Sequence, residues 1–422
     1  VTERELDVVV FGATGVTGRR VAAYLAEQSA QHGKSWAAAA RDANKLDRIL
    51  GEDGVEGAQT IVADLDDSAS LASMASRATT VLNLVGPYTL HARPVIEACV
   101  ANGAHYMDLT GEIPFVRSVI DDFDRPAEDA GIKIVQVSGF EALPPDVAVL
   151  LAVEAAREHW DEGLAMADLE FTSAPPPGVP RPSDVLSGGT MQSMAAVTSA
   201  PGAESITDPA ALIDDPSVAP LVRARSPIGL LPRRGDRGAV IAPMSPAAFI
   251  NPAVIQRSAA LLAAEEGRPL QPFRYREGMA IRGPAPTLPL RLAAAGTLSG
   301  IQAGMAAASK ARPQLRRRIG SLLSSALPGS GFGPERDRVE GWTWGMSVDA
   351  VTTGGNSVRV KLEAEGHPGY LATARMLGEA GLLLAEPEAT PERAGCLTPA
   401  IALGTGSVPR FERARMRFTV EA

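Results

Sequence analysis

The sequence predicts an α/β protein, built on a doubly wound parallel sheet with a second α+β domain inserted before the C-terminal helices. Three observations carry this reading. The chain opens with a short apolar run that meets a glycine-rich turn and then a helix pattern. Strand and helix patterns alternate from there to residue 137, as they do when crossovers join parallel strands. Beyond residue 160 the alternation stops and prolines gather, at Pro175, Pro176, Pro177, Pro180 and Pro182, which marks a change of architecture.

The elements follow in order. Residues 6–11, LDVVVF, have the composition of a strand buried on both faces. The turn Gly12-Ala13-Thr14-Gly15-Val16-Thr17-Gly18 leads into RRVAAYLAEQ, a helix pattern. In such a turn the first glycine permits the tight bend and the second lets the backbone approach a pyrophosphate. The third lets the helix pack close to the strand. The helix start then offers free N–H groups and a positive dipole end to the phosphates. A chance glycine string would lack the flanking strand and helix of this Rossmann-type loop.

Trp36 to Ala40 form the second strand. An acid that binds the ribose 2′-hydroxyl often follows this strand; here Arg41 does, with Lys45 close behind, a pair suited to a 2′-phosphate and so to NADP. The plainer alternative is that both are solvated charges opening a helix that Asp42 caps. Residues 59–63 read as a third strand, after which Asp64 and Leu65 stand along the adenine position and Asp66 or Asp67 caps the next helix. Residues 79–85 read as a fourth strand ending in Gly86-Pro87-Tyr88, at the carboxyl edge where ligands sit in such sheets. A helix over 92–102, a strand from His105 to Leu109, a helix over 113–130 and a strand from Ile132 to Val137 complete the alternation.

These residues resemble the saccharopine dehydrogenase-like oxidoreductases, and within them the subgroup holding trans-acting enoyl reductases and the saccharopine dehydrogenase-like oxidoreductase. The resemblance lies in GATGVTG (12–18), AAR with a following KL (39–41 and 45–46), VGPY (85–88), YMDLTGE (106–112) and GFEALPPD (139–146). It continues in SGGT (187–190), PGSGFGPERDRVEGW (328–342), GHPGYLATARMLGEAGLLLA (366–385) and CLTPA (396–400), so it covers almost the whole chain. It implies a nucleotide-binding domain drawn from both chain ends, and a middle domain that shapes the substrate site and a dimer contact. By position, Gly12 to Gly18 would hold the pyrophosphate of NADP(H), Arg41 its 2′-phosphate, and Asp64-Leu65 its adenine. Val85, Gly86 and Tyr88 would flank the nicotinamide ribose. The chain departs from the family pattern at Glu141, Ala142 and His367, where the family has an acid, a serine and an aspartate.

The expected domains are 1–160 for the nucleotide, 161–364 for substrate and dimerisation, and 365–422 returning to the first. In the middle, SGGT reads either as a helix cap or as a wall of the active cleft, and the loop with Arg233, Arg234 and Arg237 as solvated. Residues 290–308 are almost uncharged, with Gly296, Gly300 and Gly304 at a spacing that lines one helix face. Lys310, Arg312, Arg316, Arg317 and Arg318 follow. The stretch is short for a span, so it reads as a helix at an interface or as a peripheral membrane contact. Residues 342–350 and 357–364 read as strands.

Reduction of a carbonyl, imine or alkene by hydride leaves charge that needs a proton. Tyr88 is the first candidate donor, beside the nicotinamide position that the resemblance implies. Asp108 and Glu112, at the same sheet edge, are the others if burial raises a carboxyl pKa. Packing of Tyr88 on the ribose and structural hydrogen bonding by Asp108 are the plainer roles. His105 and His367 stand alone, with no metal-ligand spacing, so no catalytic metal is expected. No G-x-S-x-G elbow points to a serine hydrolase.

Composition excludes other classes. The 422-residue chain carries 40 basic and 49 acidic residues, a formal charge of −9, which argues against general nucleic-acid binding. Cys99 and Cys396 cannot make a disulfide framework, and residues 1–12 run straight into a strand with no leader pattern. The expectation is a soluble cytoplasmic homodimer, with or without membrane association. Three functions stay open: an NADPH-dependent reductase of a hydrophobic, lipid-like enoyl or carbonyl substrate; a saccharopine-type amino-acid dehydrogenase, with Arg223, Arg225, Arg233 and Arg234 for substrate carboxylates; and a nucleotide-binding scaffold with little catalysis.

Overall fold

The structure is a computed structural model that describes residues 4–55, 57–177, 188–235, 238–244, 247–326 and 338–422. Pro180, Pro182, Ser187, Arg237 and residues 328–337 lie outside the described residues.

The first half runs β1 (Leu6–Phe11), α1 (Gly18–His32), β2 (Trp36–Ala40), α2 (Ala43–Glu52), β3 (Gln59–Val62), α3 (Ser68–Arg77), β4 (Ala78–Asn83), α4 (Tyr88–His91), α5 (Arg93–Asn102), β5 (His105–Asp108), α6 (Ile113–Asp129), β6 (Lys133–Val135) and α7 (Leu143–Trp160). Then come β7 (Leu164–Ala174), α8 (Gly188–Ser199), α9 (Ala219–Arg225), β8 (Arg233–Arg234), β9 (Val240–Ala242), α10 (Asn251–Glu265), β10 (Arg274–Ile281), α11 (Leu288–Ser309) and α12 (Pro313–Ala326). The chain ends with β11 (Thr343–Thr352), β12 (Ser357–Glu365), α13 (Thr373–Ala385), β13 (Gly395–Leu397), α14 (Pro399–Leu403) and β14 (Met416–Glu421).

The first sheet is parallel throughout, in the order β13-β6-β5-β4-β1-β2-β3. Both faces are covered, which is why β1 is apolar at nearly every position. Val8 and Val10 pack with α1 and α13, while Val9 and Phe11 join the opposite layer with Leu71, Met74 and Ile96. The strand order reverses between β1 and β4, so their carboxyl ends open a crevice at the switch point. The second sheet is mixed, in the order β14-β12-β11-β7-β10-β9-β8, with β7 and β10 parallel and its other pairs antiparallel. Helix α7 packs on β11 and β12 and also against α10.

Some expected boundaries move. β4 stops at Asn83 because the Asn83 side chain takes the Val85 N–H at 3.1 Å. β6 stops at Val135, since Val137 takes a positive φ of 59° and donates its N–H to Asp108. The expected return of 365–422 is divided. α13 packs on β1 and β4, and β13 extends the first sheet, but β14 pairs with β12 at the edge of the second. Its apolar Met416, Phe418 and Val420 alternate with polar residues, the period that a strand pairing on an open edge needs.

Candidate active site

The switch point opens into a cavity of about 1310 Å³ that reaches from the phosphate loop to α8, α11 and α12. At the loop, Gly12 takes φ 89°, and its N–H and that of Ala13 donate to the Ala39 carbonyl at 2.9 and 3.3 Å. A Cβ on Gly18 would lie 2.2 Å from the Gly12 carbonyl oxygen, so only glycine lets α1 approach this closely. A Cβ on Gly15 would come within 3.3 Å of the Gly12 carbonyl oxygen, a tight contact, but would meet no other described atom within 4 Å, which leaves the space above it for a ligand. The N–H groups of Thr14, Val16 and Thr17 have no acceptor among the described residues. Together with the start of α1 they form a cradle that fits a pyrophosphate.

The cavity wall gathers Gly12, Thr14, Gly15, Val16, Thr17, Gly18, Lys45, Val85, Gly86, Tyr88 and Glu112. Five other expected residues lie outside it. Ala13 is fully buried in the core. Arg41 is exposed just past β2, and Asp64 turns its carboxylate to the Asp66 N–H at 3.1 Å, with Leu65 beside it packed toward the core. Asp108 is fully buried.

The three proposed proton donors prove differently placed. Tyr88 is buried, with its hydroxyl directed to the Asn83 carbonyl at 3.4 Å; burial, then the charges of Asp108 and Glu112, push its phenol well above the usual range. Asp108 accepts from the Tyr106 hydroxyl at 2.8 Å and from the N–H groups of Thr110 and Val137, and burial pushes its carboxyl up to about 7. Tyr106 also takes an Asn83 N–H, so Asp108 anchors a closed network joining β4, β5 and the loop after β6. Glu112 holds the Tyr88 N–H at 3.0 Å, the Thr89 N–H at 2.8 Å and the Thr89 hydroxyl, clamping the start of α4. Its oxygens are taken up by this turn.

The reading by residue type missed other wall groups. Glu141, noted only as a departure, lines the cavity, and burial raises its carboxyl pKa. Arg19 lines it too, held by Asp53 through two hydrogen bonds of 2.6 and 2.7 Å. His91, Gln192, Ser193 and Arg317 join the wall, with Ile206, Phe249, Ile250 and Met305 as its apolar part. These come from six separate elements, so no local pattern announces them. Ala142 is buried at the start of α7. His367 is buried between Trp342 and Tyr370 and accepts the Gly369 N–H at 3.2 Å, supporting a turn whose Gly369 meets the cavity. The arginines expected for substrate carboxylates go elsewhere: Arg223 pairs with Asp208 and Arg233 with Asp168. No three His, Cys, Asp or Glu side chains among the described residues come together as a metal site.

A parallel sheet with a glycine cradle at its switch point, next to a second, mixed sheet, defines a nucleotide-binding α/β protein. Residues 8–135 match the family described as the saccharopine dehydrogenase NADP binding domain. A relative from Mycobacterium tuberculosis is 33% identical over 98% of this chain and 97% of its own length. Trans-acting enoyl reductases of Mycobacterium bovis and Mycobacterium ulcerans are 32% and 31% identical, over 97% of this chain and 96% of theirs. The chain therefore belongs to the saccharopine dehydrogenase-like oxidoreductases, and is an NADP-dependent reductase of that family. Among solved structures, the saccharopine dehydrogenase (L-Glu forming) of Saccharomyces cerevisiae shares its fold, with a TM-score of 0.52 at 14% identity over 98% of this chain and 99% of that one.

Proposed function

We propose that this enzyme reduces an enoyl or carbonyl group on a hydrophobic, lipid-like substrate. The observation that carries the reading is the cavity itself: one continuous space is lined both by the polar glycine cradle and by Ile206, Phe249, Ile250 and Met305. NADPH, when bound, supplies the hydride. The loop from Gly12 to Gly18 holds its pyrophosphate, Arg41 and Lys45 meet its 2′-phosphate, and Asp64 and Leu65 border its adenine. Val85, Gly86 and Tyr88 shape the nicotinamide end.

Glu141 gives the proton. Its carboxyl lines the cavity close enough to Tyr88 to raise the phenol's pKa, and burial keeps it protonated to higher pH than an exposed glutamate. Tyr88, Asp108 and Glu112 act as positioning groups around it, because their polar atoms are already engaged. The domain limits 1–160, 161–364 and 365–422 go with this reading, with β14 exchanged to the second sheet. So do a cytoplasmic location, a homodimer and a peripheral membrane contact through 290–318.

The saccharopine-type alternative has less support, since the described part of the wall offers only Arg19 and Arg317 as arginines and Arg19 is engaged by Asp53. The test is a titration with NADPH, and NADH as comparator, before and after Arg41→Ala, followed by NADPH consumption on a panel of enoyl and carbonyl acyl thioesters. NADPH binding weakened about tenfold by the substitution, with turnover on the panel, supports the reading. No binding of either nucleotide overturns it and leaves a scaffold.

A further inference from the structure

We propose that α11 and α12 dock on an anionic lipid bilayer and turn the mouth of the reductase cavity toward it. The first observation is that α11 is inside out. A surface helix normally buries its apolar stripe and shows its polar face to water. Here the buried side holds Arg291, Ser299, Gln302 and Ser309 along with two alanines. The exposed side carries no charge over 22 residues, with Leu290 72% and Ile301 52% exposed. At ~100° per residue this bare face covers roughly 200° of the helix. On α12, Leu315 and Leu322 are exposed in the same way, one of them 70%.

The second observation is charge. The chain is −9 overall, yet residues 278–334 hold seven Lys and Arg and no Asp or Glu. Arg291 and Arg316 are buried, but Lys310, Arg312, Arg317 and Arg318 are exposed and make no ion pair among the described residues. A positive, apolar face on an acidic protein fits an anionic membrane surface. No helix among the described residues is long and apolar enough to cross a membrane, so the helix lies along the interface.

The third observation ties the face to the site. Met305 of α11 lines the cavity, one turn after the exposed Ile301, and Arg317, Gly320 and Ser321 of α12 line it too. The two helices that carry the bare face are thus also walls of the cavity. This part of the inference rests on the proposed reductase function, since it gives the cavity a lipid-like substrate; the docking itself does not. A second copy of the chain is the competing occupant. Two such faces would bring like charges together, and a helix ~33 Å long offers roughly 330 Å², short of the ~800 Å² per partner of a stable interface.

The experiment is flotation of the full-length protein, without nucleotide, on vesicles of equal parts phosphatidylcholine and phosphatidylglycerol, and on phosphatidylcholine alone. We expect binding to the mixed vesicles only, and release by high salt. Leu290→Asp with Ile301→Asp lowers the bound fraction at least tenfold. Lys310→Gln and Arg318→Gln each lower it about fivefold. All variants keep the wild-type melting profile and NADPH affinity, so a failure of the nucleotide reading is seen separately in the titration. No flotation, equal flotation on neutral vesicles, or full binding by the double aspartate variant overturns the proposal. So does a dimer in sedimentation that the double variant splits while vesicles bind nothing, which would make a second copy the occupant.

Discussion

Glycine works in opposite ways in the phosphate loop and in α11. At Gly18 an added Cβ would strike the Gly12 carbonyl at 2.2 Å and Ala13 Cα at 2.9 Å. At Gly296, Gly300 and Gly304 it would meet nothing within 4 Å. In sequence both sets look alike, small residues at regular spacing beside a helix. The first set is needed because backbone already fills the space. The second leaves a smooth face that nothing among the described residues covers. A regular spacing therefore says that close approach is possible, and only the packing says whether anything has approached.

The largest effect should come from the loop. Gly18→Ala must push α1 away from β1, which costs about 1–3 kcal/mol of stability and disrupts the cradle. Gly15→Val separates the two consequences. Its Cβ meets the Gly12 carbonyl oxygen at 3.3 Å, a contact that a small shift relieves, while its methyl groups fill the pyrophosphate position. Thermal melts should show Gly18→Ala clearly destabilised and Gly15→Val much less so, with NADPH binding weakened at least about a hundredfold in both. Normal NADPH affinity in Gly15→Val would move the pyrophosphate elsewhere.

Next in size is Glu141→Gln, which keeps the shape of the side chain and removes its proton. Turnover should fall about a hundredfold while NADPH affinity stays within about twofold. The sign of the pH effect follows from its raised carboxyl pKa. The protonated form is the donor, so the wild-type rate falls as pH rises through that value, and the variant's small residual rate loses this limb. A variant that keeps its full rate, or loses NADPH affinity along with it, removes Glu141 from the proton-donor role.

These two predictions also divide what was legible in the chain. The loop could be read because its chemistry is local: strand, glycines and helix are adjacent, and seven consecutive residues carry the signal. The same holds for Asp42, whose carboxylate caps α2 by taking the Lys45 N–H at 2.9 Å. The hydrogen-bond partners of the candidate donors could not be read. Tyr88, Asp108 and Glu112 have the right types at the right sheet edge, but their pairing with Asn83, Tyr106 and Thr89 leaves no period in sequence. β13 was missed for a related reason. Three residues carry too little pattern, and its partner β6 lies 262 positions earlier in the chain.

Asp108 tests the buried network against the exposed helix. Its carboxyl titrates near 7 in the fold, against about 3.9 when unfolded. Its contribution to stability is therefore fully present below about pH 4 and is lost as pH rises to about 7. Thermal melts of the wild type should fall between pH 5 and pH 8, and Asp108→Asn should reduce that fall. Asp146, raised to about 7 by burial as well, keeps part of it. An unchanged pH dependence in Asp108→Asn would mean that Asp108 stays ionised inside the protein.

The smallest effect returns to α11. Gly300→Ala replaces the residue that costs a helix most backbone entropy, at a position where the new methyl meets open space. The substitution should raise stability by about 0.5–1 kcal/mol and leave vesicle binding unchanged, because alanine keeps the face small and apolar. A helix partner that used the glycines for close approach would respond in the other direction. Its backbone would be held off by the methyl, and association would weaken while the isolated chain still gained stability. Melting and binding measured together on Gly300→Ala thus distinguish a face that lies against fluid lipid from one that fits a second helix.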